Sequence, residues 1–221
     1  VSKGNKVTYM EYYADGLRAG KYTNTSSDLY VYDLSGRVVA EAHNSYNITA
    51  NYVWGPDRVL VKKDTGGGEY YSLYNGHGDV VQIVDRNGKI VNNYKYDEWG
   101  NILESNENIS NPFKYAGEIF DEETGLYYLR ARYYDPALGR FINEDTYEGQ
   151  VTNPLSLNLY SYCYNNPLIY KDSSGNKPFS LYNEISKFLI NIRQSISPKK
   201  WDKFKYEFER LEKLLSCYYD D

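Results

Sequence analysis

Cys163 and Cys217, His43 and His77, and the acidic set Asp202, Glu207, Glu209 and Glu212 are side chains of this 221-residue sequence whose types invite nucleophilic or metal chemistry. The cysteines are far apart and lack a CxxC pair or a histidine at ligand spacing. Neither a disulfide framework nor a zinc site follows, and both read as unpaired thiols. Both histidines lie in the first half of the chain, and His77 falls in the turn sequence Asn75-Gly76-His77-Gly78. With no histidine after residue 176, a histidine-dependent nuclease or metal centre is excluded there. The four acidic residues sit on an amphipathic helical pattern, where such charges form a solvated face rather than a metal cage. No cofactor is implied.

The elements that would position any chemistry are dominated by one residue type: 27 Tyr stand against 7 Phe, 3 Trp and 1 Met. Much of the core must then be rings whose hydroxyls need partners when covered. Tyrosines at alternate strand positions pack across strands more often than they build a carbohydrate platform. The 25 Lys+Arg and 30 Asp+Glu leave a net charge of −5, which argues against neutralising nucleic-acid phosphates as the main task. No run approaches the roughly 18 apolar residues of a membrane-spanning helix. The chain opens at Val1 with no signal peptide, which fits a piece of something longer or a processed form. Its length allows one domain with an appendage, or two small domains.

Residues 1–176 read as short β-type runs separated by Gly, Asn and Asp. Stretches 7–13, 29–32, 38–40, 52–54, 59–61 and 70–74 are rich in branched and aromatic residues and fit strands. Asp33-Leu34-Ser35-Gly36, Asp85-Arg86-Asn87-Gly88 and Asp97-Glu98-Trp99-Gly100 share the form Asp-x-x-Gly, a tight turn whose Asp accepts a backbone bond and whose Gly takes positive φ. A tyrosine precedes such a turn at Tyr32, Tyr74, Tyr96 and Tyr134. Repetition of this kind predicts hairpins that must stack on their neighbours to bury a face. After Asn176 the pattern changes. Leu181, Ile185, Phe188, Leu189, Ile192 and Ile196, then Trp201, Phe204, Phe208, Leu211, Leu214 and Leu215, recur at helical intervals, with Ser197-Pro198 as an N-cap and first helical residue. This predicts a short helical hairpin, carrying 9 Lys+Arg and 7 Asp+Glu.

The stretch Asn111-Pro112-Phe113-Lys114-Tyr115-Ala116-Gly117-Glu118, followed by Asp121-Glu122-Glu123-Thr124-Gly125-Leu126-Tyr127-Tyr128-Leu129-Arg130-Ala131-Arg132-Tyr133-Tyr134-Asp135-Pro136-Ala137-Leu138-Gly139-Arg140-Phe141, resembles the core-associated region closing bacterial RHS and YD-repeat proteins. The likeness continues through Asn153-Pro154-Leu155-Ser156-Leu157-Asn158-Leu159-Tyr160-Ser161-Tyr162 to Ser174-Gly175, and the upstream tyrosine-turn units look like YD repeats. It implies a mainly β fold: repeated hairpins at 1–110 in a spiralling β-sheet shell, a core-associated plug at 111–176, and a variable helical tail at 177–221. Family members are large secreted or cell-surface proteins. The implied partners are the protein's own upstream YD-repeat shell and an immunity protein for the tail, with nucleic acid left open for the tail alone.

In several members the core-associated region is an aspartyl autoprotease cutting just after a closing Asp-Pro-x-Gly motif. Such chemistry needs one neutral acid to protonate the carbonyl or leaving amine and one ionised acid to activate water. By resemblance, Asp145 and Asp172 occupy the positions of the two motif aspartates, and Arg132 that of the essential arginine, which would hold one carboxylate ionised. The cut would fall between Asn176 and Lys177. The motifs here read Asp145-Thr146-Tyr147-Glu148 and Asp172-Ser173-Ser174-Gly175-Asn176, so both prolines and the first glycine are replaced. Three readings stand together: a shell presenting its tail, an autoprotease releasing it, and a tail that is itself a small toxin effector. The plainer role for both aspartates is to accept backbone bonds in turns.

Overall fold

The structure is a computed structural model, and it describes residues 2–3, 6–44, 46–149, 151–152, 154–180, 197, 201 and 205–206. Strands β1 (Ser2–Lys3) and β2 (Lys6–Val7) form a short ladder. Next come β3 (Tyr9–Tyr12), β4 (Arg18–Tyr22), β5 (Ser27–Tyr32), β6 (Val38–His43), β7 (Ala50–Trp54), β8 (Val59–Asp64), β9 (Glu69–Tyr74), β10 (Val80–Asp85), β11 (Ile90–Tyr96) and β12 (Ile102–Glu107). These ten make one antiparallel meander in which every strand pairs with its sequence neighbours. A second sheet takes β13 (Ile119–Asp121), β14 (Leu126–Leu129), β15 (Arg132–Asp135) and β16 (Arg140–Phe141) in that order. Finally β17 (Tyr170–Lys171) pairs with β18 (Phe179–Ser180).

The Asp-x-x-Gly units form the hairpins expected of them. At residues 33–37, Gly36 N–H donates to the Asp33 carbonyl at 3.0 Å, and the Asp33 carboxylate accepts from the amides of Ser35 and Arg37 at 2.8 and 3.0 Å. Residues 85–89 and 97–101 repeat the pattern, and in each turn the glycine takes positive φ. This is a type I turn closed by a glycine bulge, which suits the twist of antiparallel strands. The bulge appears as a register shift at Val31/Tyr32 and Lys95/Tyr96. Gly100 is also sterically required, because an added Cβ would lie 2.6 Å from the Tyr115 ring.

The tyrosine ending each unit has a job beyond packing. Tyr32 Oη donates to the Arg18 carbonyl at 2.9 Å, Tyr74 Oη to Val59 at 2.5 Å and Tyr96 Oη to Val80 at 2.9 Å. Trp54 Nε1 does the same to Val38 at 2.7 Å where the tyrosine is missing. Each ring thus ends one strand and ties down the start of the strand immediately before it. Buried hydroxyls are satisfied this way without breaking the ladder.

One face of the meander is covered. Tyr30, Val38, Ala50, Tyr52, Val59, Ile83 and Tyr94 are buried against Phe113, Ile119, Leu126, Tyr128 and Tyr133 of the second sheet and its approach. A second cluster gathers Tyr115, Tyr127, Leu129, Tyr134, Phe141, Tyr162 and Cys163. Tyr115, Tyr127 and Tyr134 direct their hydroxyls to the carbonyls of Glu98, Gly100 and Trp99, so three rings hold the single turn at residues 97–100.

Strand β4, Arg-Ala-Gly-Lys-Tyr, was not anticipated from sequence because it carries no branched residue. It is kept as a strand by tertiary burial, with Arg18 fully covered. The segment after Asn176 opens as strand β18 rather than as helix. Of the expected helical hairpin, Trp201, Lys205 and Tyr206 are helical and Trp201 N–H donates to the Ser197 carbonyl at 2.9 Å, as an N-cap requires. The remainder of that hairpin lies outside the described residues, as do Cys217 and Asp202, Glu207, Glu209 and Glu212. Among the described residues no helix is long and apolar enough to cross a membrane.

Candidate functional site

Arg132, Asp145 and Asp172 come together from three separate elements. Arg132 begins β15 after a tight turn in which Ala131 N–H donates to the Leu129 carbonyl at 2.8 Å. Asp145 lies beyond β16 and is fixed by its amide to the Leu159 carbonyl at 2.9 Å. Asp172 directly follows β17. Arg132 Nη2 stands 2.8 Å from Asp145 Oδ2 and 3.8 Å from Asp172 Oδ2, so one nitrogen faces both carboxylates. Its Nη1 donates to the Leu159 carbonyl at 3.0 Å, its Nε to Gly175 O, and its Cζ lies 3.7 Å from the Phe141 ring centroid.

The two aspartates differ in setting. The Asp172 side chain is 0% exposed and that of Asp145 13%. Asp172 Oδ1 accepts from the amides of Ser174 at 3.0 Å and Gly175 at 2.8 Å and from Ser174 Oγ at 3.1 Å. Its Oδ2 has no hydrogen-bond partner and is buried. Asp145 Oδ1 accepts from Tyr147 N–H at 3.0 Å. Each aspartate therefore fills its turn role with one oxygen and turns the other to Arg132. Burial lowers the Arg132 guanidinium from its ordinary value, against the opposing pull of Asp145 and then Asp172. The arrangement sets one guanidinium against two carboxylates and leaves Asp172 a buried oxygen with no hydrogen-bond partner, open to a water or a peptide group.

Asn176 and Lys177, the residues of the expected cut, are both exposed, and Asn176 N–H donates to Ser174 Oγ at 3.2 Å. Asn176 and Ser174 line an open groove of about 560 Å³ together with Tyr12, Leu17, Glu144 and Thr146. Cys163, buried next to this region, has its thiol pushed up by burial and then by Asp172, which makes it a poor nucleophile. Among the described residues no three His, Cys, Asp or Glu side chains are grouped to hold a metal ion.

Two further clusters escaped the sequence reading. Arg18, 0% exposed, pairs through Nη1 with Asp121 Oδ2 at 2.5 Å, and Lys21 reaches Asp121 Oδ1 at 3.4 Å and Glu123 at 2.9 Å. The Arg18 guanidinium also lies over the Tyr128 and Tyr30 rings at 4.5 and 4.8 Å. These bonds stitch β4 to β13 across 103 residues of sequence. His77, expected only as a turn residue, places Nδ1 2.6 Å from Asp79 Oδ1, which also accepts from Ala116 N–H at 2.8 Å, and its ring lies 5.0 Å from that of Tyr115. No periodicity announces either cluster, because both partners of each come from different sheets or from turns.

A family model described as the teneurin YD-shell matches residues 56–168, just over half of the chain. The chain belongs to that family. The YD-shell match covers β8 to β12 of the ten-stranded sheet and the whole four-stranded sheet, and the mainly β architecture of an RHS/YD-repeat protein is what the strands show. By sequence the chain is similar to the tRNA nuclease WapA of Bacillus subtilis (strain 168), 38% identical over 179 residues, which is 78% of this chain and 8% of that protein. It is also similar to the toxin protein Tse5 of Pseudomonas aeruginosa, 32% identical over 102 residues, 44% of this chain and 7% of the other. By fold it is similar to a component of the Photorhabdus luminescens Tc holotoxin pore, with a TM-score of 0.62 and 23% identity over 81% of this chain and 9% of that one. The YD-shell chain thus spans less than a tenth of these relatives.

Proposed function

We propose that residues 1–176 form the closing part of a YD shell, with residues 111–176 as a plug on its inner face and the residues from 177 onward as a variable cargo enclosed or presented by it. The observation that carries this reading is the seam between the two sheets. It is built from the buried Arg18–Asp121 pair and from three tyrosines bonded to the turn at residues 97–100, contacts that are part of the core. The outermost strands β3 and β12 each pair on one side only among the described residues, which fits continuation by further strands of the same protein. Secretion as part of a larger toxin-type protein, with an immunity protein for the tail, is the accompanying expectation. Dilute trypsin applied to the intact protein tests it. An enclosed tail keeps its many Lys–X and Arg–X bonds beyond residue 177 while exposed loops are cut, and immediate loss of the tail refutes enclosure.

A second reading is favoured by one observation, the convergence of Asp145 and Asp172 on Arg132. In it the core-associated region is an aspartyl autoprotease that cuts between Asn176 and Lys177. Asp172 and Asp145 would share the acid and base roles, and Arg132 would hold their charge. Intact mass after expression is decisive. A species ending at Asn176 that vanishes in Asp172→Asn supports it, and a chain that stays whole sinks it. A tail acting as an effector in its own right would show as toxicity from expressing residues 177–221 alone.

A further inference from the structure

Ser173, Ser174 and Gly175, the three residues before Asn176, have each of their carbonyls bound by one residue of the run from Arg130 to Arg132, the turn after β14 and the first residue of β15. Ser173 O accepts from Arg130 Nη1, Ser174 O from Ala131 N–H at 3.2 Å, and Gly175 O from Arg132 Nε. On the other side of the same segment, Asp172 takes the amides of residues 174 and 175. The segment is therefore gripped through its main chain along both edges, much as a peptide is held in a binding cleft.

Arg130 reaches its place by an unusual route. Its φ is +62°, in the left-handed region that costs a non-glycine residue about 1 kcal/mol or more. That conformation lets Nη1 serve Ser173 O and Glu118 Oε2, the latter at 2.7 Å. Glu118 is buried, with a side chain 6% exposed, and it follows directly the turn at Tyr115–Gly117 that the 97–100 turn anchors. Burying the Glu118 carboxylate is costly, and the Arg130 charge, with Lys171 behind it, offsets that cost while the bond fixes where the guanidinium points.

Resting on the processing reading above, we infer that Glu118 and Arg130 form a clamp that positions residues 173–175, and hence the Asn176–Lys177 bond, against Asp145 and Asp172. Arg130 touches the segment to be cut, and Glu118 is a positioning residue acting through Arg130. Recognition by this clamp is of backbone carbonyls, so it reads the shape of the segment rather than its side chains. Gly175 is the exception: its φ is +72°, and a Cβ there would lie 2.5 Å from the Leu129 carbonyl and 2.9 Å from Arg132 N.

The test compares Glu118→Ala, Glu118→Gln and Arg130→Ala in the full chain, reading self-cutting by intact mass over time and backbone order by hydrogen exchange. Displacement of a reacting segment by about 1 Å slows a reaction up to a hundredfold. Glu118→Ala and Arg130→Ala are therefore expected to cut ten- to a hundredfold more slowly, roughly, and to exchange faster in peptides covering residues 173–180. Glu118→Gln, which still offers Arg130 an acceptor, is expected to recover most of the rate. Exchange in β5 to β9 serves as the check that the variants are folded. Equal cutting in all variants, or loss in Glu118→Gln as deep as in Glu118→Ala, overturns the clamp. A wild-type chain that never cuts overturns only the processing reading, and the clamp then stands or falls by whether exchange at 173–180 rises in Glu118→Ala.

Discussion

Asp121→Asn and Arg18→Met remove opposite halves of one buried ion pair, and the structure predicts that they are not equivalent. Both side chains are 0% exposed, so either loss leaves a charge in a place where water cannot reach it. Breaking such a pair typically costs about 3–5 kcal/mol. After Arg18→Met, Asp121 still has Lys21 at 3.4 Å. After Asp121→Asn, Arg18 keeps a neutral amide oxygen, the hydroxyls of Tyr30 at 3.3 Å and Tyr133 at 3.4 Å and the faces of its flanking rings, but loses the carboxylate that balances its charge. Asp121→Asn is therefore expected to reach the full 3–5 kcal/mol and Arg18→Met to fall below it. For a chain of this size each kcal/mol moves Tm by roughly 2–4 °C, so the first variant should melt on the order of 10 °C lower. Replacing both, as Arg18→Met with Asp121→Leu, should be milder than Asp121→Asn alone, because no charge remains uncompensated. Thermal and urea unfolding of the three variants supply the measurement. A reversed order of the single variants, or a double variant as unstable as the sum of the singles, would refute the reasoning.

Tyr96→Phe deletes the hydroxyl that caps the Val80 carbonyl at a residue 0% exposed, and urea unfolding should show a loss of about 1–3 kcal/mol. Gly175→Ala meets both a left-handed backbone and the Leu129 carbonyl, and should lower stability by about 1–3 kcal/mol, whereas Gly66→Ala, with nothing within 4 Å, should stay within about 0.5 kcal/mol of the parent. The Asp79 carboxyl is raised by burial, but the bonds from His77, Ala116 and Asn75 outweigh this and hold it below the ordinary range. Its folded value being lower than its unfolded one of about 3.9, its contribution is complete above that pH and disappears as pH falls through the folded value. Asp79→Asn should accordingly flatten the acid limb of the urea midpoint plotted against pH, and an unaltered limb would count against the assignment.

The hairpins were legible because everything that makes them is local. Asp33, Asp85 and Asp97 bond amides two and four residues away, and a glycine closes each turn within the same short motif. Strand β4 was not, since Arg18, Ala19 and Gly20 carry no strand preference and are held by a second sheet about a hundred residues on. The excess of tyrosine announced hydroxyl-bearing core rings, but not that Tyr32, Tyr74 and Tyr96 would each bond the start of the strand immediately before their own. Arg132, Asp145 and Asp172 could be named through family resemblance alone, because the elements that carry them meet only in three dimensions. The Glu118–Arg130 pair gave no signal at all, for its geometry depends on a left-handed arginine that no propensity anticipates.

Strand β18 gives the region around residue 176 a property that its sequence composition concealed. Tyr170 pairs with Ser180 and Lys171 with Phe179, so residues 172–178 are the loop of a hairpin whose two arms are hydrogen-bonded to each other. Opening a peptide bond inside that loop would nick the chain and leave its two sides zipped. Scission and departure would then be separate events with separate clocks, the second set by the strength of a two-rung ladder and by whatever force draws on the far end.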